Sequence, residues 1–282
     1  MPVTGFQAFV LGIVQGITEF LPISSSGHLI IVPWLFGWDD VSADEQFKHT
    51  FDVATNIGTL LAVVSYFWRD LIRLLRSWLG TFARRSIKTH DERISWLVVV
   101  ASIPAAAAGA IGEGFFEGNF GQPWQIAIFF AVFGLLLGIA DRRPTTHEIE
   151  DLSMRHAVGV GLAQSLALIP GVSRSGITIT AGRFLGLGRD AAARFSFLIY
   201  TPIVLGAVLY KAAKLPGESL PDGWQQTFLI GIAGAALAGF AAIWGLLAYL
   251  RHHDYRPFVI WRLGMAALIM LLILTGVRDA TL

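Results

Sequence analysis

The sequence predicts an all-α integral membrane protein with six transmembrane helices and two re-entrant helix-loop-helix hairpins, arranged as an inverted-topology internal repeat. Three observations lead there. Six apolar segments are near the length that crosses a bilayer, two more are broken in the middle by Ser, Gly and Pro, and the two broken segments align with each other. Of 282 residues, 54% are hydrophobic and 15% charged; an ordinary soluble domain carries about 25% charged residues. A chain solvated by lipid requires that deficit. The net charge of +1 gives no bulk attraction to nucleic acid, and with no cysteine there are no disulfides, thiolate metal sites or thiolate nucleophiles. The N-terminal residues show neither a charged leader region nor a cleavage site, so the apolar segments themselves are expected to direct insertion.

The first hairpin covers 6–33, with Pro22-Ile-Ser-Ser-Ser-Gly27 at its middle. Backbone broken in this way survives at membrane depth only when protein or a wet cavity surrounds it. Spans follow at 51–68, 96–115 and 124–140, each close to the roughly 20 apolar residues that a crossing helix needs. The second hairpin covers 157–187 and breaks at Pro170-Gly-Val-Ser-Arg-Ser-Gly176; spans at 195–210, 228–250 and 257–277 follow it. None of the segments alternates with period two as a β-barrel strand would.

Charge fixes the orientation, because inner connections of membrane proteins are rich in Lys and Arg. The stretch 69–93 carries Arg69, Arg73, Arg76, Arg84, Arg85, Lys88 and Arg93; 142–156 carries Arg142, Arg143 and Arg155; 251–256 carries Arg251 and Arg256. The stretch from Asp39 to Glu45 is acidic, 113–124 has no basic residue, and 211–227 has Lys211 and Lys214. With the basic connections inside, all six spans are oriented and both ends of the sequence lie outside. This holds only if 6–33 enters and leaves on the outer side and 157–187 on the inner side.

Adding 149 to each number in the first hairpin aligns it with the second without a gap. Gly12, Gln15, Ser24, Ser26 and Gly27 then meet Gly161, Gln164, Ser173, Ser175 and Gly176, while Ser25 meets Arg174 and Glu19 meets Leu168. The repeats are 1–141 and 156–277, each one hairpin and three spans. An odd number of spans inverts the second copy, as in transporters that hold their site between repeats near the midplane. Hairpins entering from opposite faces can meet at their tips.

The tips carry the polar residues. Ionisable groups at such depth default to function. Arg174, between Ser173 and Ser175, can grip two phosphate oxygens in a fork. Flanking hydroxyls and freed backbone N–H groups at a helix start add donors. A resting ion pair with Glu19 is the plainer alternative. Ser25 is the candidate nucleophile, which needs a base. His28, three residues on, is expected to serve as that base or acid, or to attack phosphorus itself. Ser24, Ser25 and Ser26 are also helix-capping residues. Glu19 shares a helix face with Gln15 and is read as a holder of a divalent ion, as an orienter of His28, or as the base. Thr178 completes the second tip. No cluster has the spacing of a tightly held transition-metal site. Arg262 is expected either to counter a phosphate charge or to snorkel to the inner edge. Asp52 and Asn56 are expected to line the mouth or cap the first span, and Arg183, Arg189 and Arg194 to sit at the inner interface.

Two stretches resemble a known family. Gln15-Gly-Ile-Thr-Glu19-Phe-Leu-Pro-Ile-Ser-Ser-Ser-Gly-His28 is similar to the Glu/Gln-x-x-x-Glu motif and following Ser-Ser-(Ser/Thr)-Gly-His of the undecaprenyl pyrophosphate phosphatases, also called bacitracin resistance proteins. Pro170-Gly-Val-Ser-Arg-Ser-Gly-Ile-Thr178 looks like their Pro-Gly-x-Ser-Arg-Ser-x-x-Thr. Phe67-Trp-Arg69 and Phe195-Ser-Phe197 extend the resemblance over nearly the whole chain; Asn56-Ile-Gly58 departs from it where the family often has Gln. The resemblance implies a bacterial inner-membrane enzyme whose site opens to the outer, periplasmic face. It implies removal of the terminal phosphate of undecaprenyl pyrophosphate, which recycles the carrier for peptidoglycan synthesis and confers bacitracin resistance. It implies a loosely bound Mg²⁺ or Ca²⁺ near Glu19, a polyprenyl pyrophosphate substrate and membrane lipids as surroundings, with a homodimer left open. The implied site is Gln15, Glu19, Ser25, His28, Ser173, Arg174, Ser175 and Thr178, to which the residues themselves add Ser24 and Ser26.

The rival expectation is a transporter or flippase for a lipid phosphate, which the inverted repeat also suits. A carrier needs only an anion cradle; the nucleophile with a base favours the hydrolase.

Overall fold

The computed structural model describes residues 3–38, 45–214 and 224–282. Helices carry it throughout. The expected acidic run Asp39 to Asp44 and residues 215–223 of the second outer connection lie outside the described residues.

α1 (Gly5–Phe20) opens with a capping box in which Thr4 accepts from the Gln7 N–H, and it stops at Leu21, where the following Pro22 disfavours helical backbone. α2 (Ser25–Phe36) is capped by Ser24 and ends at Gly37. α3 (Glu45–Arg84) kinks at Phe67. α4 (His90–Asn119) starts from a Thr89–Glu92 capping box, and α5 (Pro123–Asp141) has proline in its first turn. α6 (Met154–Gln164) passes through a short 3₁₀ turn, Ser165–Leu168, before α7 (Arg174–Phe184), which is capped by Ser173. α8 (Arg189–Lys214), α9 (Trp224–Leu250) and α10 (Arg256–Leu274) follow.

Six of these helices, α3, α4, α5, α8, α9 and α10, are long and apolar enough to cross a membrane. Five of them contain their expected spans and outrun them at most ends, while α10 ends at Leu274, short of the expected 277. The basic stretch expected as a connection from Arg69 is helical as far as Arg84. Charge ends an apolar run without ending a helix, and Arg73 pairs with Asp70 one turn away at 2.8 Å. The crossing part of α3, Thr50–Arg84, has 35 residues; at about 1.5 Å each it far exceeds a hydrocarbon core about 30 Å thick.

The packing crosses between the two halves of the sequence. α1 lies along α9, α6 lies on α4, α3 meets α8, and α5 meets α10. Both crossings of the hairpin arms are backbone to backbone. A Cβ on Gly12 would sit 2.5 Å from the carbonyl oxygen of Gly231, and one on Gly161 would sit 2.6 Å from that of Ala101. Small residues let helices approach this closely where lipid leaves no hydrophobic drive for association. A cluster including Phe20, Phe67, Phe197 and Tyr200 fills the centre.

At the end of α5, Asp141 accepts from Arg189 at 2.6 Å and from the Tyr255 backbone N–H at 3.1 Å. Arg183 is buried there, donating to the carbonyls of Asp141, Arg143 and Leu187. Arg183 and Arg189 thus tie three chain segments together rather than merely marking an interface. Arg194 pairs with Asp190. Asn56 donates back to the Asp52 carbonyl one turn away inside α3; that helix begins at Glu45, so neither residue caps it.

Candidate active site

The two turns have matching backbone. Ser24 has φ 81° and ψ 105°, and Ser173 has φ 77° and ψ 118°, a region that non-glycine residues rarely occupy and that clusters at functional sites. Each hydroxyl accepts the N–H of the glycine three residues on, Gly27 at 3.3 Å and Gly176 at 3.0 Å. The turns also touch. A Cβ on Gly27 would lie 3.3 Å from the Gly171 Cα, and the Ser175 hydroxyl donates to the Leu21 carbonyl at 3.0 Å.

At this junction Glu19 is buried and accepts from both turns. One carboxylate oxygen takes the Arg174 guanidinium. The other takes the Ser25 hydroxyl at 2.5 Å and the Gln15 amide N–H at 3.0 Å. Arg174 stacks over the Tyr200 ring, 4.2 Å from its centroid, and the Tyr200 hydroxyl is tied to Thr59 at 2.7 Å. Ser25 is half-buried and Ser26 exposed, so the nucleophile candidate is not sealed in. The alternative of a resting Glu19–Arg174 pair is therefore the geometry seen.

Other expected members stand further back. Thr178 donates to the Arg174 carbonyl at 2.8 Å and shares a 2.7 Å contact with Ser196, so its hydroxyl braces α7 against α8. Ser24 and Ser173 are occupied as caps, with Ser26 and Ser175 beside them at 3.4 and 3.3 Å.

His28 does not make the expected bond to Ser25. Its Nδ1 lies 2.6 Å from the Ser24 carbonyl, and its Nε2 lies 2.9 Å from the Trp261 indole nitrogen. An indole N–H only donates. Nε2 is therefore the acceptor, and the neutral ring carries its proton on Nδ1, which donates to Ser24. In helix α2 the position three residues after Ser25 points to α10 rather than back across the turn, and the base nearest Ser25 is Glu19.

Arg262 also departs from both expectations: it neither snorkels nor faces the cluster. It is 0% exposed. It donates to the carbonyls of Pro22, Gly171 and Val172 in the turns and of Phe129 and Phe130 in α5. Sequence reading assigned no role to Tyr200, Ser196 or Trp261; the one signal was Phe195-Ser-Phe197, which contains Ser196 and stops three residues before Tyr200.

Among the described residues no three His, Cys, Asp or Glu side chains gather as a metal-binding group. The Gln15 carbonyl oxygen, however, is buried beside Glu19 with no hydrogen-bond partner. A carboxylate, an unsatisfied amide oxygen and a serine hydroxyl are hard oxygen donors. They fit a cation held largely by substrate phosphates and completed by one or two protein oxygens.

Six helices of crossing length around a buried carboxylate, guanidinium and serine make this a multi-pass membrane protein with a polar centre. Comparison with known proteins gives the family. The family model for bacitracin resistance protein BacA matches residues 8–268. The undecaprenyl-diphosphatase of Moorella thermoacetica is 46% identical over 268 residues, covering 95% of this chain and 97% of that protein. Those of Pelotomaculum thermopropionicum and Thermomicrobium roseum are 44% identical over 270 residues and 43% over 277, each covering 95% of this chain and 97% and 98% of the relative. The chain belongs to the bacitracin resistance protein family.

Proposed function

We propose that the Glu19–Ser25–Arg174 cluster is the active site of this undecaprenyl-diphosphatase. The enzyme hydrolyses undecaprenyl pyrophosphate to undecaprenyl phosphate and inorganic phosphate, which returns the lipid carrier to peptidoglycan synthesis. The observation that carries the site assignment is the junction itself: one buried carboxylate holds the guanidinium of one turn and the hydroxyl of the other.

In the mechanism, the terminal phosphate draws Arg174 away from Glu19 into a fork with two phosphate oxygens. Glu19, freed of its cation, takes the Ser25 proton as the Ser25 oxygen attacks phosphorus. The phosphorus–bridging oxygen bond breaks, and undecaprenyl phosphate leaves. Glu19 passes its proton to the departing undecaprenyl phosphate, and the restored carboxylate then deprotonates a water that cleaves the phosphoserine to inorganic phosphate, the proton taken from water returning to the Ser25 oxygen. Positioning and charge neutralisation supply most of the rate, as in other phosphoryl transfers. His28, held as the Nδ1–H tautomer, secures the first turn of α2. A divalent cation, Mg²⁺ or Ca²⁺, would be held by Glu19 and the Gln15 carbonyl oxygen and would neutralise pyrophosphate charge.

The two hairpins are read as re-entrant and the halves, 1–141 and 156–277, as an inverted repeat in the inner membrane, with the site open to the periplasmic face. The matching dihedral angles of Ser24 and Ser173 and the reciprocal α1–α9 and α6–α4 crossings support the repeat. A polyprenyl tail suits such a site, because the tail stays in lipid while the headgroup reaches Arg174.

Phosphate release from undecaprenyl pyrophosphate in detergent tests the assignment. Arg174→Ala and Glu19→Ala are expected to abolish release in protein that still inserts and purifies. Undiminished release by Arg174→Ala would remove the cluster from the mechanism.

A further inference from the structure

We propose that Arg262 is a positioning residue that registers the two turns against each other, so that Arg174 meets Glu19 and Ser25. The proposal rests on the phosphatase reading of that junction and adds to it a residue outside the cluster. A guanidinium has five N–H donors in a rigid plane. Here they are spent on five carbonyls from three separate segments. Nη1 reaches Val172 at 3.1 Å and Pro22 at 3.4 Å; Nη2 reaches Gly171 at 2.8 Å and Phe129 at 3.0 Å; Nε reaches Phe130 at 3.2 Å. Pro22 precedes the strained Ser24 in one turn, and Gly171 and Val172 precede Ser173 in the other.

These carbonyls need such a donor. The turns that aim Ser25 and Arg174 leave the helical hydrogen-bond ladder, and their oxygens are buried away from water, where an unmet acceptor is costly. Arg262 meets one oxygen of the first turn and two of the second while anchored on α5. The distance between the turns is therefore set by the width of one planar group. Its charge is balanced by carbonyl dipoles, since none of its bonds goes to a carboxylate. Lysine cannot substitute, because its three donors radiate from one atom and cannot bridge both turns and α5.

The test uses the full-length enzyme in detergent with R262K, and it measures steady-state phosphate release together with hydrogen exchange of the backbone amides. The expected result is a kcat lower by about 100-fold, the scale of a misplacement near 1 Å, with KM moved by less than about threefold. Exchange should rise in peptides spanning 20–27 and 170–176 and stay unchanged in α9. Three results would overturn the proposal: kcat within about threefold of the parent, exchange rising in α9 as much as in the turns, or failure to recover folded R262K, which would make Arg262 a requirement of the whole fold. If the parent itself released no phosphate from undecaprenyl pyrophosphate, the phosphatase reading would fail. The exchange comparison would still decide whether Arg262 registers the turns.

Discussion

Ser25 and Glu19 are joined by a 2.5 Å hydrogen bond, so their mutations should not add. Ser25→Ala removes the attacking oxygen, and Glu19→Gln keeps the shape of the side chain while removing the acceptor charge. A positioned general base contributes about 10²–10⁴-fold, so each single variant is expected to lose about 10³-fold in kcat. By the rate law, that is about 4 kcal/mol. Were the residues independent, the double variant would lose about 10⁶-fold, or about 8 kcal/mol. If Glu19 serves only to activate Ser25, the second mutation has nothing left to remove, and the loss stays near 10³-fold, an interaction of about 4 kcal/mol. Glu19→Gln also breaks the buried pair with Arg174, which costs roughly 3–5 kcal/mol of stability. That cost is common to Glu19→Gln and the double variant and cancels in their ratio. The assay is phosphate release from undecaprenyl pyrophosphate under saturating substrate, with thermal unfolding to confirm that each variant is folded. Losses that multiply, or a Ser25→Ala enzyme running near the parental rate, would refute the pairing of nucleophile and base.

Chelation with EDTA is expected to stop phosphate release, and Mg²⁺ or Ca²⁺ to restore it. Gln15→Leu, which deletes the unpartnered amide oxygen, should raise the cation concentration needed for half-maximal rate in the same titration. Gly161→Ala places a methyl group 2.6 Å from the Ala101 carbonyl oxygen; it should lower stability by about 1–3 kcal/mol, read as a drop in unfolding temperature, and Gly12→Ala should do the same. The chain has no cysteine, so single-cysteine variants report sidedness directly. Cysteines at Thr4 and Trp38 should both react with an impermeant thiol reagent from outside, and those at Ser153 and Asp190 only from inside. Opposite sidedness within either pair would turn that hairpin into a span.

Much of this was written in composition. An apolar run of crossing length has one economical use, so the six long helices were readable. Glu19, Ser25 and Arg174 were readable because serine, glycine and charge in an apolar setting have few structural uses. Arg262 was not. One arginine in an apolar helix looks the same whether it reaches for water or for carbonyls, and the carbonyls it meets belong to residues 22, 129, 130, 171 and 172. No local spacing encodes that convergence. The surroundings of His28 were hidden for the same reason: nearness to Ser25 along the chain suggests a partnership, while in the structure the ring accepts from Trp261, 233 residues away. Helix ends were misjudged because the apolar stretch stops at Trp68 while the hydrogen-bond ladder of α3 continues to Arg84.

The crossed packing of α1 on α9 sets a timetable for biosynthesis. Gly12 packs against Gly231, so α1 enters the membrane long before the helix it lies along has been made. Arg262 emerges later still. A nascent chain stalled before α10 therefore displays both serine turns without the guanidinium that meets their carbonyls.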